Sequence, residues 1–168
     1  MARLILITGI PGAGKSTLLK NIAREDCGDY IVSRDKIRFS LVKEGEPYFS
    51  KENEVWEMFI QEIKDSLLKY DTVFVDATHV TEGSRTKLLR ALGSATKGVT
   101  LGSIFVNVPL KLALEQNEQR KGTRAYVPQS AIESMYLALT PPSEEEGFDE
   151  MYIVTRKDNG ENKIYRRF

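Results

Sequence analysis

The sequence predicts an α/β fold in which helices cover both faces of a mainly parallel sheet, as a three-layer α/β/α sandwich. One observation is an unbroken apolar run of strand length at residues 4–8, which suits a parallel strand that is buried on both faces. A second is the glycine-rich stretch at residues 9–17, GIPGAGKST, which leads into a helical segment at residues 17–24. The third is that strand and helix signals alternate along the rest of the chain, without an internal repeat or a linker.

The glycine-rich stretch fits the phosphate-binding pattern G-x-x-x-x-G-K-[ST] at every fixed position. Its glycines allow positive φ values and let backbone N–H groups approach a polyphosphate, while the following helix directs the positive end of its dipole at the same anion. Lys15 supplies a mobile charge for the β- and γ-phosphates, and Ser16 supplies a hydroxyl to Mg²⁺. We therefore predict a P-loop NTPase fold that binds ATP and Mg²⁺ through Gly12, Ala13, Gly14, Lys15, Ser16 and Thr17.

The remaining elements of the first half follow from periodicity. A short strand at residues 30–33 runs into a helix from residue 34 to about residue 43, and residues 45–50 break that helix. Residues 53–70 form a longer amphipathic helix, and a third apolar strand at residues 72–76 ends in an acid. The apolar stripe of the longer helix, which we assign to core packing, consists of Val55, Trp56, Phe59, Ile60, Ile63, Leu67 and Leu68.

The second half continues the alternation and completes a mainly parallel five-stranded sheet. Pro109 and Pro128 each suit the first position of a helix, where a missing N–H costs nothing. Asp158-Asn159-Gly160 is a strong turn signal and predicts an edge hairpin. The predicted elements are a helix at 82–97 with Leu88, Leu89 and Leu92 facing inward, a strand at 100–108, helices from 109 to about 119 and from 128, a solvated polar connection at 141–147, a strand at 151–155 and an edge strand at 163–167.

Composition limits the class of protein. The 168 residues predict one domain with a substantial core, and no apolar run is long enough to cross a membrane. The N-terminal residues do not show a signal-peptide pattern, and an intramolecular disulfide is excluded because Cys27 is the only cysteine. We expect a cytoplasmic protein in which Cys27 is at least half-buried. The 24 basic and 24 acidic residues give zero net charge, which argues against broad nucleic-acid binding but leaves room for a local basic groove.

Candidate chemical groups lie just after the strands, at the sheet edge where open parallel sheets bind ligands. Asp35 and Arg38 follow the second strand and are three residues apart, so they share a helix face. The carboxylate can accept a proton from an acceptor hydroxyl, and the guanidinium can hold a neighbouring phosphate. Asp76 ends the third strand, where it can contact Mg²⁺, and Thr78 and His79 follow it, His79 as a group that orients its neighbours rather than as a base.

The segment between Glu118 and Glu133 carries three basic residues and no acid. It contains Arg120, Lys121 and Arg124 with Gly122 among them, and it lies between two predicted helices. We expect residues 119–139 to form a helical lid that brings positive charge to the transferred phosphoryl group. Arg120 and Arg124 are therefore assigned to nucleotide binding.

At these residues the chain resembles the kinase domain of phage-type 5′-hydroxyl polynucleotide kinases, within the wider group of small P-loop kinases. The segment Ser33-Arg34-Asp35-Lys36-Ile37-Arg38 is similar to the R-D-x-x-R segment of that family, and Asp76-Ala77-Thr78-His79 resembles its motif after the third strand, where asparagine is common at the position of His79. The stretch from Asn117 to Arg124 resembles the family's lid.

The resemblance implies roles for individual residues. Asp35 would be the general base for the 5′-hydroxyl, Arg38 would contact an acceptor phosphate, and Arg120 would be the lid arginine, with Lys121 as the alternative under a one-residue gap. The expected catalytic residues are Lys15, Asp35 and Arg120, the expected acceptor contacts are Arg34, Asp35, Arg38 and Thr78, and the expected metal ligands are Ser16 and Asp76. The phage enzymes add a 3′-phosphatase domain, and we expect none in residues 1–168.

Three functions remain open at the level of sequence. The leading one is an ATP-dependent kinase that phosphorylates the 5′-hydroxyl of RNA or DNA. The second is a small-molecule kinase of the same architecture that acts on a nucleoside, a sugar or a metabolite. The third is a nucleotide-dependent binding module or switch, which would not need a base at position 35.

Overall fold

The computed structural model describes residues 2–157 and 160–166, and within them the chain forms one six-stranded sheet. The strand order is β2-β3-β1-β4-β5-β6, with β5 and β6 antiparallel and all other neighbours parallel. This confirms the predicted α/β P-loop fold and the edge strand, while the turn predicted at Asp158 and Asn159 lies outside the described residues. The strands are β1 (Arg3–Thr8), β2 (Asp29–Ser33), β3 (Thr72–Asp76), β4 (Thr100–Val106), β5 (Glu150–Arg156) and β6 (Asn162–Arg166).

Helices connect the parallel strands. They are α1 (Lys15–Ile22), α2 (Arg34–Leu41), α3 (Glu52–Lys69), α4 (Glu82–Leu92), α5 (Leu110–Glu118) and α6 (Gln129–Ala138). The Ser33 hydroxyl caps α2 by accepting from the Lys36 N–H, so this helix starts directly at the end of β2. Pro109 and Pro128 occupy the N-cap positions of α5 and α6 rather than the predicted first helical positions, because each helix begins one residue later. The predicted helix at 82–97 is too long, because the backbone leaves the helical region at Gly93 (φ 53°, ψ −126°) and a short 3₁₀ turn follows.

Alternate residues of β1 point to opposite faces of the sheet and so feed two separate cores. Leu4 and Leu6 pack in one cluster with side chains of α3 and α4, while Ile5 and Ile7 pack in the other with side chains of α1, α5 and α6. The sheet is thus covered on both faces, as the unbroken apolar runs of its strands require. Of the described residues, no helix is both long and apolar enough to cross a membrane.

Three predicted burial states are wrong. Leu68 is 89% exposed, because the buried face of α3 is narrower than the predicted apolar stripe and ends at Leu67. Cys27 is exposed in a short 3₁₀ turn before β2. Glu146 belongs to the connection predicted to be solvated, yet its side chain is 4% exposed because it pairs with the fully buried Arg85.

The strand register places the candidate groups at one edge of the sheet. Ser33 at the end of β2 is the partner of Asp76 at the end of β3, and Thr8 ends the neighbouring β1. The first turn of α2 and the glycine-rich loop after β1 therefore start from strand ends that lie on either side of β3. The fold brings together segments that are far apart in sequence.

Candidate active site

The glycine-rich loop joins β1 to α1 and depends on glycine at two positions. Gly12 and Gly14 have φ values of 83° and 90°, a region that side-chain-bearing residues rarely adopt. A Cβ atom on Gly12 would overlap the backbone carbonyl of Ala113 in α5, so the loop is also packed too tightly for a side chain there. Gly14 is the N-cap of α1, which directs the start of that helix at the space above the loop.

Lys15 is the cation of this loop and is buried. Its Nζ donates to the carbonyl of Ile10 at 3.0 Å. Burial lowers the pKa of Lys15 to about 8, although the carboxylates of Asp76 and Asp35 act in the opposite direction. The ammonium is therefore mostly charged at neutral pH, and its charge is lost in mildly alkaline solution.

Ser16 and Asp76 lie side by side, as their assignment to a metal site requires. The Ser16 hydroxyl donates to Oδ2 of Asp76 at 2.7 Å. A hydroxyl and a carboxylate are hard oxygen donors, and Mg²⁺ is usually held by one or two such groups together with substrate phosphates and water. This donor pair fits Mg²⁺ beside a P-loop.

Asp35 belongs to a network of charged and phenolic groups that centres on Arg38. The buried Arg38 guanidinium contacts Oδ1 of Asp35 and donates to the Tyr48 hydroxyl at 2.7 Å. It also donates two hydrogen bonds to Glu52, from Nε to Oε1 at 2.7 Å and from Nη2 to Oε2 at 3.0 Å. Tyr48 in turn donates to Oδ1 of Asp35 at 2.5 Å. Asp35 is thus held from two directions at one oxygen.

The protonation states of this network follow from its surroundings. Burial raises the pKa of Tyr48 and the neighbouring Asp35 carboxylate raises it further, so the phenol stays protonated and remains a donor. Burial alone would raise the pKa of Glu52, but its bonds to Arg38 lower it, so that Glu52 is ionised. Sequence reasoning missed Glu52, and its only signal is an acid at the start of the helix that follows the acceptor segment.

Arg34 lines the same region but is packed against aromatic rings. Its guanidinium carbon lies 5.4 Å from the ring centre of Trp56 and 5.6 Å from that of Phe59, and it donates to Glu52 at 3.3 Å. Burial lowers the pKa of Arg34, opposed by the charge of Glu52. Arg34 therefore contributes positive charge while being fixed in position.

The basic residues of the predicted lid separate into different environments. Arg120 lines the cavity with Lys15, whereas the Lys121 side chain is 72% exposed and lies 4.0 Å from Glu118. Arg124 does not line the cavity, although a role in nucleotide binding would require it to do so. Its guanidinium donates to the backbone carbonyls of Phe39 and Val42, which lie at and just beyond the last turn of α2. In this conformation Arg124 ties the predicted lid to α2.

His79 shapes the loop after β3. It is buried, has a φ of 43°, and its Nδ1–H donates to the Ile7 carbonyl at 3.1 Å. Burial lowers the pKa of His79 to about 4, so the ring is neutral at physiological pH. Arg85 donates to the carbonyl of His79 at 2.8 Å and also pairs with Glu146. These contacts fit the expectation that His79 orients its neighbours, and that role stays a prediction.

One cavity of about 480 Å³ collects these groups. The predicted site residues that line it are Gly12, Gly14, Lys15, Ser16, Arg34, Asp35, Arg38, Asp76, Thr78 and Arg120. Ala13 and Thr17 do not line it, and the Ala13 N–H is directed at the Ile10 carbonyl within the loop. Tyr48, Phe49, Glu52 and Tyr126 also line the cavity. A further group that the sequence did not reveal is Arg156, whose guanidinium lies directly against Gly14.

Comparison with known proteins gives the family. The sequence profile of AAA_33, described as an AAA domain, matches residues 4–142. The chain belongs to this family of P-loop kinases. Such kinases use ATP and usually Mg²⁺, in agreement with the loop and the Ser16–Asp76 pair. The kinase part of the resemblance is thereby confirmed, while the narrower phage-type assignment stays a prediction.

Individual relatives differ in what they act on. The chain is 31% identical over 156 residues to an L-seryl-tRNA(Sec) kinase of Methanococcus maripaludis, a match that covers 87% of this chain and 56% of that protein. A chain of the Pnkp1/Rnl/Hen1 RNA repair complex is 22% identical with a TM-score of 0.70, over 82% of this chain and 44% of that one. A gluconokinase from Sinorhizobium meliloti 1021 is 21% identical with a TM-score of 0.57, over 91% and 82%. The chain thus spans little more than half of the curated relative, and the two solved structures share its fold.

Proposed function

We propose that this protein is an ATP-dependent kinase that transfers the γ-phosphoryl group to the 5′-hydroxyl of a polynucleotide. The observation that carries this is the presence of Asp35 in the same cavity as Lys15, close enough for its carboxylate to oppose the lowering of the lysine pKa. A nucleotide switch needs the loop but has no use for an oriented carboxylate at the acceptor position.

The donor half consists of the loop, Lys15, Ser16, Asp76 and Arg120. The loop N–H groups and the start of α1 attract the phosphates of ATP, and the ammonium of Lys15 supports the charge of the transferring group. Bound Mg²⁺, held by Ser16 and Asp76, would neutralise part of the phosphate charge. Arg120 adds a second cation from the predicted lid.

The acceptor half supplies the base. Oδ1 of Asp35 is occupied by Tyr48 and Arg38, and no described residue hydrogen-bonds to Oδ2, which leaves that oxygen available to the acceptor hydroxyl. In the transfer, Asp35 takes the hydroxyl proton as the acceptor oxygen bonds to the γ-phosphorus. The bond from that phosphorus to the bridging oxygen breaks, and ADP leaves with the electron pair.

Arg38 retains some capacity for an acceptor phosphate. A guanidinium has five N–H donors. Glu52 takes one from Nε and one from Nη2, and the two on Nη1 face Asp35 and Tyr48. Within the described residues, one Nη2 hydrogen stays without a partner. This hydrogen can donate to a phosphate next to the accepting nucleoside.

A second candidate acceptor is the hydroxyl of a serine esterified to tRNA. The identity of 31% to the L-seryl-tRNA(Sec) kinase favours it. Both acceptors present a primary hydroxyl near a phosphodiester, so the same Asp35 and Arg38 would serve either. A free sugar has the hydroxyl but lacks the neighbouring phosphate.

Transfer of labelled γ-phosphate from ATP in the presence of Mg²⁺ tests these alternatives. The acceptors are an oligonucleotide with a 5′-hydroxyl, the same oligonucleotide with a 5′-phosphate, seryl-tRNA and uncharged tRNA, the last two with 5′-phosphates. Label on the 5′-hydroxyl oligonucleotide alone supports the proposal. Label on seryl-tRNA alone replaces it by the second candidate. Label on none of them, with ATP bound, overturns both and leaves a small-molecule acceptor or a switch.

A further inference from the structure

Phe49 is a large apolar side chain that lines the cavity beside Tyr48 and Arg38. It lies in the connection between α2 and α3 and is 65% exposed, although it lines the same cavity as Asp35 and Lys15. Apolar surface gains free energy when it is covered, so a phenyl ring left in water at the wall of a cavity favours a bound group that packs against it. The ring therefore offers an uncovered apolar face beside the proposed base.

The ring is held in place by the network around Asp35. Tyr48 is anchored through its hydroxyl to Asp35 and Arg38. Phe49 packs against Tyr48 edge to face, with ring centres 4.6 Å apart and planes at 85°. The Arg38 guanidinium carbon is 4.3 Å from the Tyr48 ring centre and 5.7 Å from that of Phe49. An acceptor would meet a surface that is already ordered.

We propose that Phe49 is a stacking platform for the nucleobase of the nucleotide that carries the accepting hydroxyl. This inference rests on the proposed function and narrows it to acceptors that bear a base. Three neighbouring groups match three parts of a nucleotide: Asp35 the hydroxyl, Arg38 a phosphate and Phe49 a planar ring. Stacking on an aromatic side chain tolerates any base, because every base has a π-face.

A pair of acceptors that differ only in the terminal base tests the proposal. One oligonucleotide carries an intact 5′-terminal nucleoside, and its partner carries an abasic sugar with the same 5′-hydroxyl. For the unmodified protein we expect kcat/KM to be about tenfold or more higher for the intact acceptor. In Phe49→Ala this preference should disappear while the KM for ATP is unchanged, and Phe49→Trp should restore it.

Leu68→Ala is the matched control, since Leu68 is also an exposed large apolar residue but lies on α3 away from the cavity. It should keep the preference for the intact acceptor. Equal kcat/KM for the two acceptors in the unmodified protein would overturn the platform and leave the kinase proposal standing.

If neither oligonucleotide is phosphorylated, the proposed function fails, and a binding measurement then decides about the platform. An oligonucleotide with 2-aminopurine at its 5′ end reports stacking by loss of fluorescence. Quenching by the unmodified protein that is lost in Phe49→Ala but kept in Leu68→Ala supports the platform. Absence of quenching overturns it.

Discussion

The Tyr48 hydroxyl donates to Oδ1 of Asp35 across 2.5 Å, and the same carboxylate oxygen is contacted by Arg38. The connection between α2 and α3 thereby fixes the proposed base, which is otherwise about half exposed at 54%. The orientation of Asp35 is set by a residue thirteen positions away in sequence, not by the helix turn alone.

We expect Tyr48→Phe to lower kcat for the 5′-hydroxyl oligonucleotide by about tenfold, because the carboxylate of Asp35 loses one of its two positioning contacts. The KM for ATP should not change, since the donor half is untouched. Tyr136→Phe is the control, because Tyr136 is a partly exposed tyrosine on α6 that does not line the cavity. A Tyr48→Phe protein with normal kcat would show that the phenol does not position the base.

ATP affinity should weaken in alkaline solution. The pKa of Lys15 is lowered to about 8 by burial, so the free protein loses this charge as the pH rises through 8. Binding of ATP then requires uptake of a proton, and Kd should rise by up to about tenfold per pH unit above 8. Titration calorimetry between pH 7 and pH 9.5 measures this. In Lys15→Arg the guanidinium stays protonated, and its Kd should stay flat; a flat Kd in the unmodified protein would contradict the assignment.

Glu146→Gln should lower the free energy of unfolding by about 3–5 kcal/mol, because it leaves the fully buried Arg85 without its charged partner. Urea unfolding followed by circular dichroism measures the change. Glu145→Gln, at the exposed neighbouring position, should change it by less than about 0.5 kcal/mol. Equal small effects for both variants would mean that the buried pair contributes little.

Stability should also depend on pH through His79. The pKa of this residue is about 4 in the folded protein and 6.5 for an ordinary histidine, so the unfolded chain binds the extra proton first as the pH falls. Stability contributed by the neutral ring is complete above pH 6.5 and declines toward pH 4, by about 2 kcal/mol at pH 5.

The control for this prediction is His79→Asn, because asparagine tolerates the positive φ of 43° and does not titrate. Urea unfolding of both proteins at pH 7.5 and pH 5 isolates the histidine contribution. An identical loss of stability in the two proteins would exclude His79 as its source.

Much of the donor half could be predicted from sequence because it is local. The glycine-rich loop, Lys15 and Ser16 lie within nine consecutive residues, and their geometry follows from one strand–loop–helix unit. Asp76 could be added because parallel strands end at a common edge. These residues line one cavity in the structure.

The residues that position Asp35 and Arg38 could not be predicted, because their contacts depend on the path of the connection between α2 and α3. Tyr48 and Phe49 come from a connection with no periodicity, and the sequence leaves open whether they stack or pack. The sequence identifies Glu52 only as an acid in the first turn of α3, although its carboxylate accepts two hydrogen bonds from Arg38. Glu146 looks like part of a solvated acid run, and only the placement of Arg85 from α4 explains its burial.

The most direct test of the central claim is the turnover of Asp35→Asn with a 5′-hydroxyl oligonucleotide, ATP and Mg²⁺. The amide keeps an oxygen that can accept from Tyr48 and Arg38, so the fold and ATP binding should be retained, but it cannot take a proton. We expect kcat to fall at least about a hundredfold with an unchanged Kd for ATP. Turnover close to that of the unmodified protein would contradict the assignment of Asp35 as the base and with it the proposed kinase mechanism.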